Sequence, residues 1–231
     1  MARKSVASPS LPGLYETSSV NFRSLCPCIF LATLLGGAGA FSVPAQAASK
    51  RFCPNPRYVA PHTVLKPVLD VIAKGEGDYN SVNRGYAGDT PGGIQSFGRG
   101  WTFENYTVQQ VMDLQRSQLY AVGRYQFIPS TLRWAVRHSD VSPLDMFTPE
   151  VQDKLAVALI MYKRPAIGAY IRGNHDLLGW ALNEMAKEWA SIEYRNGRGY
   201  YDHVGGNRAH ITRAELSAVL QEVKTSWQAK F

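Results

Sequence analysis

Leu65, Leu69, Ile72 and Glu76 recur at spacings of four, three and four within the stretch Leu65–Asp78, LKPVLDVIAKGEGD. Those spacings put all four side chains on one face of a helix. A carboxylate therefore lies in line with an apolar stripe, at the end of a helix that Gly75 and Gly77 close. Both circumstances oppose its ionisation: burial penalises the charge, and the helix dipole is negative at that end. A carboxyl group so placed keeps its proton toward neutral pH, which is what a general acid requires. The same pattern also fits a surface glutamate at a frayed helix end, and spacing alone leaves both readings open.

Other candidate chemistry is sparse. His138, His175, His203 and His210 have no metal-ligand spacing, and we read them as structural or surface residues. Cys26 and Cys28 fall in an N-terminal apolar run, which leaves Cys53 without an internal disulfide partner. No metal site and no cofactor motif is expected.

The N-terminus reads as an export signal. Arg3, Lys4 and Arg23 are basic, Leu25–Val43 is apolar, and Ala45-Gln46-Ala47 is a small-residue cleavage site before Ala48. An uncleaved anchor is the alternative, disfavoured by Pro27 and the glycines in the run. The 231-residue chain carries a net charge of +7; residues 1–47 hold three basic residues and one acid, so the remaining 184 carry +5. A basic exported protein is drawn to an acidic polymer or surface. Basic residues are not interleaved with aromatics in the manner of nucleic-acid binders, so nucleic acid is not an expected partner. The expected location is the periplasm or cell wall, without stable membrane insertion once the signal is removed.

Several elements must position Glu76. Residues 48–62 read as a linker, followed by the opening helix with Pro67 in its first turn. Residues 79–106 alternate glycines with Tyr79, Tyr86, Phe97, Trp101, Phe103 and Tyr106, which predicts loops and short hairpin strands. After Tyr106 the pattern is helical. Thr107–Gln110 is a capping box for a helix to about Ser117, Pro129 begins a helix through Arg137, and Thr148-Pro149-Glu150 starts another with Val151, Leu155, Ala158, Leu159 and Tyr162 on its apolar face. Pro165 breaks that helix, and a short helical stretch runs to about Ile171. Leu177, Leu178, Ala181, Met185 and Trp189 mark the next helix; residues 193–210 read as a loop; Thr212 and Glu215 cap a last helix to about Trp227. The expected class is α+β: a mostly helical lobe, a small Gly-rich β-hairpin lobe, and a cleft where they meet.

Four ordered motifs then carry a resemblance. They are Glu76-Gly77 at the first helix end, Gly123-Arg124-Tyr125-Gln126, Phe147-Thr-Pro-x-x-Gln-Asp153, and Glu188-Trp189-Ala190-Ser191. Residues from about Val64 to the last helix resemble the lysozyme superfamily, in particular the bacteriophage lambda endolysin type. That type has serine where this chain has Gly75. The resemblance implies a lysozyme-like catalytic domain over 63–231. It also implies cleavage of the β-1,4 bond between N-acetylmuramic acid and N-acetylglucosamine in peptidoglycan, by a monomer without cofactor.

In that light Glu76 is the expected catalytic acid, and Arg124, Tyr125, Gln126, Tyr86 and Tyr200 are expected to bind the glycan. Tyr125 could instead lie in the core, and Arg124 could be structural. An inverting hydrolase needs a second carboxylate about 6.5–9.5 Å from the first. Asp89 and Glu104 could supply it, though neither has a marking pattern. The lack of an evident partner favours a lytic transglycosylase, in which the muramic acid C6 hydroxyl is the nucleophile. A hydrolytic muramidase, a non-catalytic wall-binding relative and a phage lysis protein with a releasable anchor are the competing readings.

Overall fold

The computed structural model describes residues 60–85, 88–204 and 206–231. The expected signal peptide, nearly all of the linker, Cys53 and Tyr86 lie outside those residues.

Helix α1 spans Pro61–Glu76. It begins four residues before Leu65, because Pro61 at its first position supplies the helical φ without a wasted N–H. Pro67 is therefore inside the helix. The carbonyl it leaves unbonded belongs to Thr63, which is exposed, so water can take the missing bond's place. Val64, Leu65, Val68, Leu69, Val71 and Ile72 are buried against α4 (Pro149–Ala158) and α7 (Arg213–Gln228). Each such aliphatic side chain is worth roughly 1.5–3 kcal/mol relative to exposure.

The segment after α1 departs from the expected hairpin lobe. Its one strand, β1 (Val82–Asn83), pairs antiparallel with β2 (Ala121–Val122), Val82 opposite Val122, and within the segment makes only a single antiparallel bridge, Asn83 to Asp89. The rest forms single 3-10 turns at Gly93–Phe97 and Phe103–Asn105. Glycines are too closely spaced there for a strand to extend, and the apolar side chains turn inward. Phe103 is fully buried, edge-on to Phe147 with ring centroids 5.5 Å apart.

Helix α2 (Val108–Leu114) carries the capping box in full: Thr107 accepts from the Gln110 amide, and the Gln110 side chain accepts from the Thr107 amide. It stops three residues short of Ser117. The buried Gln115 side chain instead donates to the carbonyls of Tyr120 and Phe127, at 2.8 and 2.7 Å. Helix α3 is Pro129–Arg137, as its sequence predicts. Helix α4 continues as one π turn, Leu159–Lys163, before α5 (Pro165–Ile171). The wider turn changes the helical phase, so Tyr162 is 61% exposed instead of joining Leu155 and Leu159 in the core. Helix α6 spans Leu178–Glu188, preceded by a 3-10 turn at His175–Leu177.

The loop expected at 193–210 begins with a hairpin, β3 (Glu193–Arg195) and β4 (Arg198–Gly199). Asn196 and Gly197, at φ 53° and 73°, form the two-residue turn that matches strand twist. With about 55% helix and two small antiparallel sheets the described residues are α+β.

Candidate active site

Glu76 is the last residue of α1, and Gly77 ends the helix by donating its N–H to Ala73 O at 3.1 Å. The carboxylate accepts two hydrogen bonds from one residue of the opposite end of the chain: Ser191 Oγ at 2.6 Å and Ser191 N at 3.2 Å. By accessible surface Glu76 is only half-buried, although protein atoms crowd its carboxyl group. The crowding governs proton affinity, and the open edge governs access. Burial pushes the Glu76 pKa above the ordinary glutamate value; the two Ser191 bonds pull it down, the Asp89 charge raises it, and His210 lowers it, with a net upward shift.

Gly75 makes the Ser191 contact possible. A Cβ at position 75 would lie 2.3 Å from Ser191 Cβ and 2.5 Å from its Oγ. The hydroxyl that supports the acid therefore occupies the space a side chain at 75 would need, and in this chain that support comes from Ser191.

Ser191 is itself 4% exposed and fixed from both sides. Its carbonyl accepts the amides of His210 and Ile211, at 2.7 and 3.0 Å. Two residues before it, Trp189 is buried, and at the end of α6 the almost fully buried Glu188 side chain binds Lys163 at 2.5 Å and Arg164 at 2.7 Å. Glu184 completes the cluster through Arg164 and Lys187. The Glu188–Ser191 motif thus joins an ion-paired anchor to the donor that faces the acid. Its serine was visible in the sequence, but nothing local pointed to Glu76, which is 115 positions away. His210, read as an ordinary histidine, reaches the same neighbourhood.

The Gly123–Gln126 element divides into two roles. Gln126 is half-buried at φ 46°, and its Nε2 donates to Gly123 O at 2.9 Å. That amide nitrogen would be 3.8 Å from a Cβ on Gly77, so it lies beside the end of α1. Tyr125 and Arg124 take the structural alternatives that the sequence left open, each bonded within the protein. Tyr125 is 1% exposed, and its hydroxyl donates to Asp153 at 2.5 Å, so it has no free face for a sugar. Burial, and then Asp153, push its pKa upward. Arg124 binds Asp70 at 2.7 Å and Tyr79 Oη at 2.8 Å, with its guanidinium 4.9 Å from the Tyr79 ring centre.

The Gln-Asp pair of the third motif explains this rigidity. Gln152 is fully buried: its Oε1 accepts the Arg124 amide at 3.0 Å, and its Nε2 donates to the carbonyls of Tyr79 and Phe147. Gly123, at φ 73°, is required because a Cβ there would lie 2.3 Å from Gln152 Oε1. Asp153 accepts both Tyr79 and Tyr125 hydroxyls. Two motifs of the resemblance are thus parts of one polar scaffold.

Asp89 is exposed, accepts from Asn83 Nδ2 at 2.7 Å, and acts on Glu76 through its charge. Glu104 is exposed on the Phe103–Asn105 turn, outside these contacts. Tyr200 follows β4, is 40% exposed, and is braced edge-on by Tyr194 and Tyr201. Two concave surfaces flank α2, and neither includes Glu76.

The site thus centres on a carboxyl group of raised proton affinity at a helix end, bonded by a single serine. The family model for endolysins matches residues 66–228, and the chain belongs to the endolysin family. In general terms that makes it a peptidoglycan-cleaving enzyme. No curated protein and no solved structure matches it.

Proposed function

We propose that this chain is a lytic transglycosylase of lysozyme-like fold, acting on the β-1,4 bond between N-acetylmuramic acid and N-acetylglucosamine. The observation that carries the reading is the raised proton affinity of Glu76, whose carboxyl is bonded by Ser191 and faced by no ion-paired cation among the described residues. Glu76 gives its proton to the glycosidic oxygen as the bond to muramic acid C1 breaks. The glucosamine side leaves as an alcohol. The C6 hydroxyl of the same muramic acid then bonds to C1, and its proton returns to Glu76. One acid serves both halves of the cycle, no water is consumed, and the product is a 1,6-anhydro end.

Within this reading Gln126 offers its amide to an N-acetyl group, and Tyr200 offers an exposed ring to a sugar face. Residues 1–47 direct export, and the monomer works on peptidoglycan in the periplasm or cell wall without a cofactor.

Hydrolysis is the second reading, and Asp89 favours it, because its charge is felt at Glu76 from across the β1 turn. Mass spectrometry of a peptidoglycan digest separates the two. Anhydro-muropeptides, one water lighter than the hydrolytic products, support the transglycosylase; reducing muramic acid ends, lost in Asp89→Asn, support the hydrolase and overturn it.

A further inference from the structure

A second charged feature lies on a different part of the surface. Arg116, Arg133 and Arg137 surround a groove of about 220 Å³ floored by Met112, Val136 and Pro143. Arg133 and Arg137 are one helical turn apart on α3, both exposed, and neither forms an ion pair among the described residues. Arg116, just beyond α2, has only a long 3.4 Å contact with the exposed Asp113. Such a surface pair contributes little and leaves the guanidinium available.

The loop that lends Pro143 to the groove also carries exposed apolar side chains. Leu144, next to Pro143, is 79% exposed, and Met146 is 41% exposed. This is not a loose loop tip. The carbonyls of Pro143 and Asp145 accept the amides of Gln109 and Val108, both at 2.8 Å, which ties the loop to the start of α2. Within it, Leu144 N–H donates to Ser142 Oγ at 3.1 Å and Ser142 N–H donates to Asp145 Oδ2 at 2.8 Å. The loop holds its leucine out in water near Arg133 and Arg137, which form no ion pair among the described residues, and near Arg116, whose one ion pair is the long surface contact with Asp113.

We infer that this face docks on an anionic phospholipid surface, with Arg116, Arg133 and Arg137 on lipid phosphates and Leu144 entering the interface. A bilayer presents phosphate and hydrocarbon at successive depths, which is the order in which the arginines and the protruding leucine require them. Wall glycan offers anions but no hydrocarbon for Leu144. No helix among the described residues is long and apolar enough to cross a membrane, so the contact is one of surface adsorption. None of these residues contacts Glu76, and the inference does not depend on which reaction Glu76 performs.

The test uses the full chain and reads the loop itself, because the apolar run at 25–43 could bind lipid independently. Hydrogen exchange at residues 142–146 is followed by mass spectrometry with vesicles of pure phosphatidylcholine and with vesicles containing phosphatidylglycerol. Protection is expected only on the anionic vesicles, and is expected to fade at high salt. In Arg116→Gln/Arg133→Gln/Arg137→Gln, half-protection should require on the order of 100-fold more lipid, because three cationic side chains no longer meet lipid phosphate. Turnover of soluble peptidoglycan fragments should be unchanged, which verifies the fold. Equal protection on neutral vesicles, none on anionic ones, or a triple variant protected like the parent overturns the inference. So does a variant that loses binding to isolated wall sacculi while its protection on vesicles persists, since the groove's occupant is then the wall.

Discussion

Helix α1 carries two carboxylates six residues apart that the fold treats in opposite ways. Burial would raise the Asp70 pKa, but Lys66 and Arg124 bind the carboxylate and hold it below the usual range. Glu76 is more crowded, has a serine where Asp70 has two cations, and is shifted upward. The helix supplies both acids; Lys66 on the same helix and Arg124 hold one as an anion, while Ser191, far along the chain, is the partner of the other. The difference teaches that the upward shift at Glu76 goes with the lack of an ion-paired cation among the described residues as well as with burial.

The largest expected effect comes from removing the proton. Glu76→Gln should lower turnover of purified peptidoglycan by roughly 100- to 10,000-fold, with circular dichroism unchanged. Full activity in that variant would sink the assignment. The same substitution probes stability. Glu76 binds its proton more tightly folded than unfolded, so the chain takes up a proton on folding between the two pKa values, and stability falls as pH rises through that window. The glutamine variant should therefore gain in melting temperature relative to the parent as pH rises, and lose that gain in acid.

Crowding the contact comes next. Gly75→Ala places a methyl group on Ser191 and should destabilise by about 1–3 kcal/mol, read by urea unfolding. Combining it with Ser191→Gly should recover part of that loss, because the clash is with the serine side chain. If the two losses simply add, the packing argument fails.

A smaller change follows from Ser191→Ala. The hydroxyl stabilises the ionised acid, so its removal should raise the Glu76 pKa further. The alkaline limb of the pH–rate profile, where the acid loses its proton, should move to higher pH; a limb that stays put or moves down would assign it to another group.

The smallest effect is expected at the other carboxylate. Asp70→Asn should cost no more than about 1 kcal/mol at neutral pH, since its side chain is 41% exposed and solvent screens the pairs. The folded pKa of Asp70 is depressed, so its contribution is present above the unfolded value and disappears as pH falls through the folded one. Denaturant midpoints of parent and variant should converge in acid. Activity should change little, in contrast to Glu76.

Most helices were legible because their signals are local. Thr107, Pro129, Thr148-Pro149 and Thr212 start helices where their side-chain or φ chemistry predicts. Non-local pairing was not legible. Strand β1 finds its partner nearly forty residues on, among residues whose own pattern does not mark a strand. The β3–β4 hairpin had a local sign in Asn196-Gly197, masked by the surrounding glycines and arginines. Tyr125 illustrates a further limit: an aromatic beside a glycine suits a sugar platform or a core equally, and the Asp153 carboxylate decided for the core.

The sequence by itself determined that one glutamate ends an apolar helix stripe, that the bulk of the chain is helical, and that four motifs stand in an order resembling the family to which it belongs. These follow from side-chain periodicity and backbone capping, which act over a few residues. Only the tertiary structure decided that Ser191 meets Glu76 in the space Gly75 leaves, that Arg124 is spent on Asp70 and Tyr79, and that Gln152 and Asp153 hold the Gly123–Gln126 turn. Those contacts join residues up to 115 positions apart. Hydrogen bonds and excluded volume depend on position in space, and spacing along the chain does not encode which distant groups packing will bring together.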